Sequence, residues 1–310
     1  MTMSKNMNKR VLTYFYIVVG FVLMLTVSGC TDYQAGEDAY NRGDYETAFK
    51  KFLPLAEQGD ARAQVYLGLL YEKGNGVPQN DTEAVKWFRL AADQGKAYAQ
   101  SILGEMYLEG KGVPQNDTKA VKWFRLAAVQ GYMDGQTYLG RMLEKGKGVP
   151  QDFAEAMKWF RLAAAQGGVV AQNNLGTMYK KGKGVPQDYT EAMKWYRLAA
   201  GQGNASAQNE LGRMYEKGNG VPENDTEAVK WFRLAADQKK AHAQSWLGYM
   251  YENGKGVSQD YVLALMWLNL AVAQGDADSA KRVEKLEKEM TPEQIAEAQR
   301  LAREWKAKGE

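Results

Sequence analysis

The residues that carry most enzyme chemistry are scarce in this sequence. The 310-residue chain contains one histidine, His242, and one cysteine, Cys30. A zinc motif needs several histidine or cysteine ligands, and a disulfide framework needs cysteine pairs. Neither the Ser-x-x-Lys motif nor the Gly-x-Ser-x-Gly turn of serine hydrolases occurs in the chain. The sequence therefore predicts no catalytic residues, no metal ligands and no cofactor-binding residues.

Cys30 follows a segment that has the features of a signal peptide. Residues 1–10 carry three positive charges, residues 11–27 are almost entirely apolar, and small residues precede the cysteine. The resulting string, VSGC, resembles the bacterial lipobox, in which the cysteine thiol accepts a diacylglyceryl group and becomes the mature N-terminus. We therefore expect residues 1–29 to be removed and lipid on Cys30 to hold the protein on a membrane. A signal-anchor helix and a buried cysteine are the alternatives.

The predicted mature chain is electrically neutral. Lys5, Lys9 and Arg10 account for three of the 40 basic residues, so 37 basic residues remain against 37 acidic ones. A nucleic-acid-binding protein needs a clustered excess of positive charge, so we expect no nucleic-acid partner. Thr31, which stands after the cysteine in place of aspartate, favours the outer membrane of a bacterial envelope over the inner one, with the protein facing the periplasm.

The body of the chain repeats every 36 residues. The string GVPQ, or a near copy, begins at Gly76, Gly112, Gly148, Gly184, Gly220 and Gly256. A tryptophan recurs with the same period at Trp87, Trp123, Trp159, Trp195, Trp231 and Trp267. A fixed period of this length is typical of a solenoid, in which one supersecondary unit stacks on the next.

Each unit has the pattern of two helices. In the first unit, apolar residues at helical spacing end at Gly74, where a left-handed C-cap is expected, and the GVPQ loop follows (helix A). Asn80 is then followed three residues later by Glu83, which predicts the start of helix B. The tryptophan and the phenylalanine beside it are expected in the core. The glycine in the middle of each helix A predicts a close approach of another element to the backbone.

The repeat pattern identifies a family. Residues 171–203 read AQxxLGxxYxxGxGVPQDxxEAxKWxRxAAxQG, which resembles the Sel-one-like repeat, a relative of the tetratricopeptide repeat. The resemblance implies an all-α fold, a right-handed α/α solenoid of stacked helical hairpins, and a monomeric interaction scaffold without enzyme activity. Some cysteine-rich members resemble β-lactamases or penicillin-binding proteins. Here no repeat contains a cysteine, which argues against that enzymatic alternative.

The sequence predicts four segments. Residues 1–29 form the signal peptide. Residues 30–59 contain the lipidated N-terminus and a tetratricopeptide-like capping hairpin. Six Sel-one-like repeats occupy residues 60–275, and residues 276–310 form charged capping helices.

Four positions of helix A vary between repeats, whereas packing positions stay constant. These are positions 62, 66, 69 and 73 of the first repeat and their equivalents at 36-residue steps, here called the helix-A surface. We expect them to face the concave side and to bind proteins or peptides of the envelope. The candidate binding residues are Tyr66, Tyr98, Ile102, Tyr138, Arg141, Arg213, His242, Trp246 and Tyr249. The alternative is a solvated face with a few partly buried aromatic side chains.

Two further expectations concern partners and backbone. An exported or surface factor that binds host proteins is an alternative to the envelope scaffold, and a hydrolase acting on envelope peptides is a weaker one.

Lys239 occupies a junction where the other repeats carry glycine. If this position is left-handed, Lys239 destabilises the protein and replacing it with glycine should stabilise it.

Overall fold

The computed structural model describes residues 31–307, and every regular element in that range is a helix. The described residues divide into two compact units, one up to residue 151 (unit 1) and one from residue 152 onwards (unit 2). Between residues 31 and 307, no helix is long and apolar enough to cross a membrane. The predicted signal peptide and Cys30 lie outside the described residues.

The helices of unit 1 are α1 (residues 31–41), α2 (Tyr45–Glu57), α3 (Ala61–Lys73), α4 (Asp81–Asp93), α5 (Ala97–Glu109), α6 (Asp117–Val129) and α7 (Met133–Lys145). The helices of unit 2 are α8 (Phe153–Ala165), α9 (Val169–Lys181), α10 (Tyr189–Gly201), α11 (Ala205–Lys217), α12 (Asp225–Asp237), α13 (Ala241–Asn253), α14 (Tyr261–Val272), α15 (Ala277–Leu286) and α16 (Pro292–Ala307). A short 3-10 turn, Glu287–Glu289, follows α15. The odd-numbered helices from α3 to α13 are the predicted helices A, and α4 to α14 are the predicted helices B.

Local sequence signals set the ends of these helices as predicted. The Asn80 side chain accepts hydrogen bonds from the backbone N–H groups of Thr82 and Glu83, both at 3.1 Å, at the start of α4. Every helix A ends at a left-handed glycine, such as Gly74 with φ 68°. The hairpin is therefore encoded within each repeat.

The core is built where a ring of helix B meets a glycine of helix A. Phe88 is fully buried, and a Cβ atom added to Gly68 would lie 2.7 Å from its ring. Gly212 and Phe232 repeat this contact in unit 2, at 2.6 Å. The prediction that these glycines permit a close approach is confirmed.

The expectation that all six repeated tryptophans lie in the core is only partly right. Trp87 and Trp267 are buried. The other four are half-buried, namely Trp123, Trp159, Trp195 and Trp231. The residue after each of these four is fully buried: Phe124, Phe160, Tyr196 and Phe232. The residue after Trp87 or Trp267 is fully buried as well, so the following residue fills the core in all six repeats and the tryptophan lies beside it. Trp305 of α16 also packs on Trp267, with ring centroids 5.7 Å apart.

The GVPQ loop of one repeat lies against the preceding repeat. Gly112 has φ 67°, and a Cβ atom there would lie 2.2 Å from the carbonyl oxygen of Asp81 at the start of α4. The neighbouring Lys111 Nζ lies 3.2 Å from Glu72 Oε1 and 3.7 Å from Asp81 Oδ1. Glycine is thus required by the close approach as well as by the backbone angle.

Buried glutamines link successive repeats. Gln64 donates its side-chain N–H to the Ala56 carbonyl at 3.1 Å, and its Oε1 accepts a hydrogen bond from Gln94 at 2.9 Å. In unit 2, Gln208 makes the same two contacts, donating to the Ala200 carbonyl and accepting from Gln238. The side-chain N–H and the side-chain oxygen of each buried glutamine therefore both have hydrogen-bond partners. This series of bonds, here called the glutamine ladder, fixes how one hairpin packs on the next.

Candidate functional site

In unit 1, the tyrosines of the helix-A surface are partly used in packing. Tyr66 stacks on Phe52 with ring centroids 4.5 Å apart, and its hydroxyl donates to Glu37 at 2.9 Å. Tyr138 stacks on Phe124 at 4.8 Å and donates to Glu105 at 2.8 Å. Both rings are half-buried, so one face of each ring belongs to the contact between hairpins.

Carboxylates surround these tyrosines. Burial raises the pKa of Glu105, and the charges of Asp134, Glu109 and Glu72 raise it further against the hydrogen bond from Tyr138. Burial likewise raises the pKa of Tyr98, and Glu72 and Glu105 add to the effect. The helix-A surface of unit 1 is therefore tyrosine-rich and locally acidic.

The other two candidates of unit 1 differ in exposure. Ile102 is half-buried on α5. Arg141 is exposed on α7, and its guanidinium carbon lies 5.6 Å from the centroid of the Tyr138 ring. A cation at this distance over a tyrosine face is weakly attracted to the ring. Arg141 is thus an accessible, partly oriented cation at the edge of the tyrosine-rich surface.

In unit 2, the last helix A presents an aromatic pair. Trp246 stacks on Phe232 at 5.8 Å and meets Tyr249 edge-on at 5.6 Å. The Arg282 guanidinium carbon lies 4.7 Å from the Tyr249 ring centroid. Both rings are half-buried. Trp246 is therefore part of the core contact as well as a candidate binding residue.

His242 is the most accessible candidate. Its side chain is 76% exposed, and Nδ1 lies 3.5 Å from Asp276 Oδ2. Among residues 31–307, no group of three or more His, Cys, Asp and Glu side chains is arranged to hold a metal ion. The geometry at His242 is that of an exposed imidazole beside a carboxylate.

Arg213 lies at a cavity. A space of ≈ 210 Å³ on unit 2 is lined by Lys180, Tyr189, Glu210, Arg213, Met214, Lys217 and Asn219. Lys180 and Glu210 form an ion pair whose side chains are 20% and 21% exposed. Glu210 Oε1 also lies 3.6 Å from Arg213 Nη1. The cavity therefore brings together helices α9 and α11, which carry its charged side chains.

Two features of the surface escaped the sequence analysis. Lys180 lies outside the four positions of the helix-A surface, yet it reaches the residue at position 66 of the next repeat. The outer face of helix B carries a leucine that is 38–51% exposed in five repeats: Leu90, Leu126, Leu162, Leu198 and Leu234. The sequence analysis assigned these leucines no role, and the structure shows that they reach solvent.

Comparison with known proteins places these features in a family. A model of the Sel1 repeat, the Sel-one-like repeat, matches residues 61–96, 97–132, 134–168, 169–204, 205–240 and 241–276. No curated protein matches the chain.

Two solved structures are similar over most of the chain. One is a protective antigen present in uropathogenic Escherichia coli strains and displaying an SLR fold. It is 38% identical, with a TM-score of 0.75, over 83% of this chain and 56% of that one. A Sel1 repeat protein from Oxalobacter formigenes is 32% identical, with a TM-score of 0.73, over 77% of this chain and 96% of that one. The chain thus spans little more than half of the Escherichia coli protein. On the six matched repeats and these two structures, the chain belongs to the Sel1 repeat family and has its all-α solenoid fold.

Proposed function

We propose that this protein is a lipid-anchored scaffold of the bacterial cell envelope that binds other proteins through the helix-A surface. The Sel1 repeat solenoid supports an interaction role in general. The observation that carries the proposal is a contrast within each repeat. The glycine, alanine and glutamine positions that pack or link hairpins stay constant, whereas the helix-A surface changes from repeat to repeat. Variation at accessible positions of helix A favours recognition.

The proposed anchor is lipid on Cys30, and the proposed location is the periplasmic side of the envelope, at the outer membrane rather than the inner one. Support comes from the charged, apolar and small-residue order of residues 1–30. Metabolic labelling with a radioactive fatty acid tests it. The wild type should carry label and sediment with membranes, and Cys30→Ser should carry none. Label on the Cys30→Ser chain would refute the anchor.

Crosslinking in intact cells, followed by purification, tests the binding role. Arg141→Glu combined with His242→Glu changes two accessible helix-A side chains that do not support the core. Lys158→Glu combined with Lys194→Glu likewise introduces two glutamates, on exposed helix-B residues. The scaffold proposal expects partners to be lost in the first variant and retained in the second. If both double variants retain the crosslinked partners equally, the binding surface does not lie on helix A.

A second candidate is an exported or surface factor that binds host proteins. The similarity to a protective antigen of uropathogenic Escherichia coli favours it. Protease added to intact cells separates the two proposals: cleavage without permeabilisation supports the surface factor, and protection until the outer membrane is opened supports the periplasmic scaffold. The hydrolase alternative predicts labelling by fluorescent penicillin, and we expect none.

A further inference from the structure

The cavity on unit 2 holds more positive than negative charge. Lys180, Arg213 and Lys217 line it together with a single carboxylate, that of Glu210. Glu210 is shared, because it pairs with Lys180 and also lies 3.6 Å from Arg213. The lining is therefore suited to a further anion.

One atom of the lining is a donor without an acceptor. Arg213 Nε is buried, and no residue that the structure describes accepts a hydrogen bond from it. Glu210 approaches the guanidinium at Nη1 instead. A buried N–H without a partner is unfavourable, and a guanidinium binds a carboxylate best through two adjacent N–H groups. Arg213 therefore carries an unsatisfied N–H group and lines the cavity.

The repeat position of Glu210 carries an aromatic ring in half of the repeats. At the equivalents of Glu210, three repeats place a ring that stacks on the core aromatic of the preceding hairpin, namely Tyr66 on Phe52, Tyr138 on Phe124 and Trp246 on Phe232. Glu210 has no ring to lay over Tyr196, the equivalent core residue. Glu210 therefore places a charged side chain beside Arg213, where those three repeats place an aromatic ring.

We propose that this cavity binds a carboxylate group of a partner polypeptide. The inference rests on the proposed scaffold function and names the chemistry that one part of the partner presents. The carboxylate accepts hydrogen bonds from the Nε edge of Arg213, and Lys217 adds a second positive charge. An acidic side chain and the free C-terminus of a chain share this chemistry.

Fluorescence anisotropy with defined peptides tests the proposal on the purified full chain in detergent. Three rhodamine-labelled probes are used: tetraglutamate with a free C-terminus, tetraglutamate amide, and tetraglutamine with a free C-terminus. If the first and second probes bind and the third does not, the cavity recognises an acidic side chain. If the first and third bind and the second does not, it recognises the free C-terminus. Either pattern supports the carboxylate site, and no binding by any probe overturns it.

Variants locate the binding. Arg213→Gln should lower the association constant for the bound peptide by about tenfold or more, as expected for loss of a charged hydrogen bond. Glu210→Gln should strengthen it, because the internal competitor for Lys180 and Arg213 is removed. Arg141→Gln is the matched control, since Arg141 occupies the same repeat position in unit 1 and lines no part of this cavity.

Equal affinity in Arg213→Gln and wild type would refute the site even if a peptide binds elsewhere. The gain in Glu210→Gln keeps the test informative if Arg213→Gln folds poorly, and unchanged or weaker binding there would also contradict the proposal. The Nε signal of Arg213 in ¹⁵N-arginine spectra should shift on titration with the bound probe. Because purified protein and defined peptides are used, failure here is distinct from failure to capture partners in cells.

Discussion

At the scale of single residues, the tightest constraint is the contact between a helix-A glycine and the ring of helix B. A Cβ atom on Gly212 would lie 2.6 Å from Phe232. We predict that Gly212→Ala destabilises the protein by about 1–3 kcal/mol, because the core must shift to admit the methyl group. Urea unfolding measures the change.

Gly201 provides the matched control, because it is also helical and a Cβ atom there would meet nothing within 4 Å. Gly201→Ala should be neutral or stabilise the protein by up to about 1 kcal/mol. Similar effects of the two substitutions would show that helix propensity, rather than close packing, accounts for the repeated glycine.

The junction at Lys239 makes a second prediction. Lys239 has φ 62° and is the one non-glycine residue with positive φ between residues 31 and 307, so the expected left-handed backbone is confirmed. Lys239→Gly should raise the free energy of unfolding by about 1 kcal/mol, since glycine adopts this conformation without strain. The reverse change, Gly203→Lys, alters an equivalent junction with φ 88° and should lower it. A lower melting temperature for Lys239→Gly would contradict this explanation.

Glu105 gives a pH-dependent prediction. Its pKa is raised in the folded state, so folding favours its protonated form. Its contribution is most favourable below the unfolded pKa of about 4.3 and is lost as the pH rises through the folded pKa. Glu105→Gln should therefore melt higher than wild type at pH 7, with a difference that shrinks as the pH falls towards 4. Exposed Glu57→Gln is the control, and a Glu105→Gln difference that does not change with pH would refute the prediction.

At the scale of elements, the glutamine ladder holds successive hairpins in register. Gln208→Leu removes two hydrogen bonds of a buried side chain, from Gln208 to the Ala200 carbonyl and from Gln238 to Gln208, so we predict a loss of about 1–3 kcal/mol of stability. Gln187→Leu removes an exposed side-chain hydrogen bond to the Lys180 carbonyl and should cost less. Equal losses would mean that the buried ladder contributes no more than a surface contact.

The helices themselves could be predicted from the sequence because their signals are local. Asn80 and Gly74 set the ends of elements through bonds to residues a few positions away. The ladder from Gln94 to Gln64 could not be predicted, since it joins residues 30 positions apart and depends on how hairpins stack. The repeat revealed which glutamines recur, but not which atoms they bind.

The candidate site was predictable in outline only. The variable positions identify the helix-A surface, but variation alone does not separate a stacked ring such as Tyr66 from an exposed side chain such as His242. The cavity beside Arg213 depends on Lys180, which reaches across from the preceding repeat. Contacts between repeats follow from the stacking geometry, which no single repeat encodes.

At the scale of the whole molecule, the same repeat serves two purposes. Constant positions build the solenoid, and variable positions give each unit its own surface chemistry: tyrosines with carboxylates in unit 1, and a cationic cavity and an aromatic pair in unit 2. A chain with nearly balanced charge, 40 basic and 37 acidic residues, can therefore present different local charges to different parts of a partner. The account depends on the helix-A surface being the face that partners contact.

Site-specific photocrosslinking tests this most directly. A photoreactive amino acid is placed in living cells at Arg141 or His242 on the helix-A surface, or at Leu162 or Leu198 on the outer face of helix B, where the side chains are 50% and 51% exposed. The account predicts light-dependent adducts with other proteins from Arg141 and His242 and few from the two leucine positions. Adducts only from Leu162 and Leu198 would show that the exposed leucines of helix B form the binding face and would contradict the account.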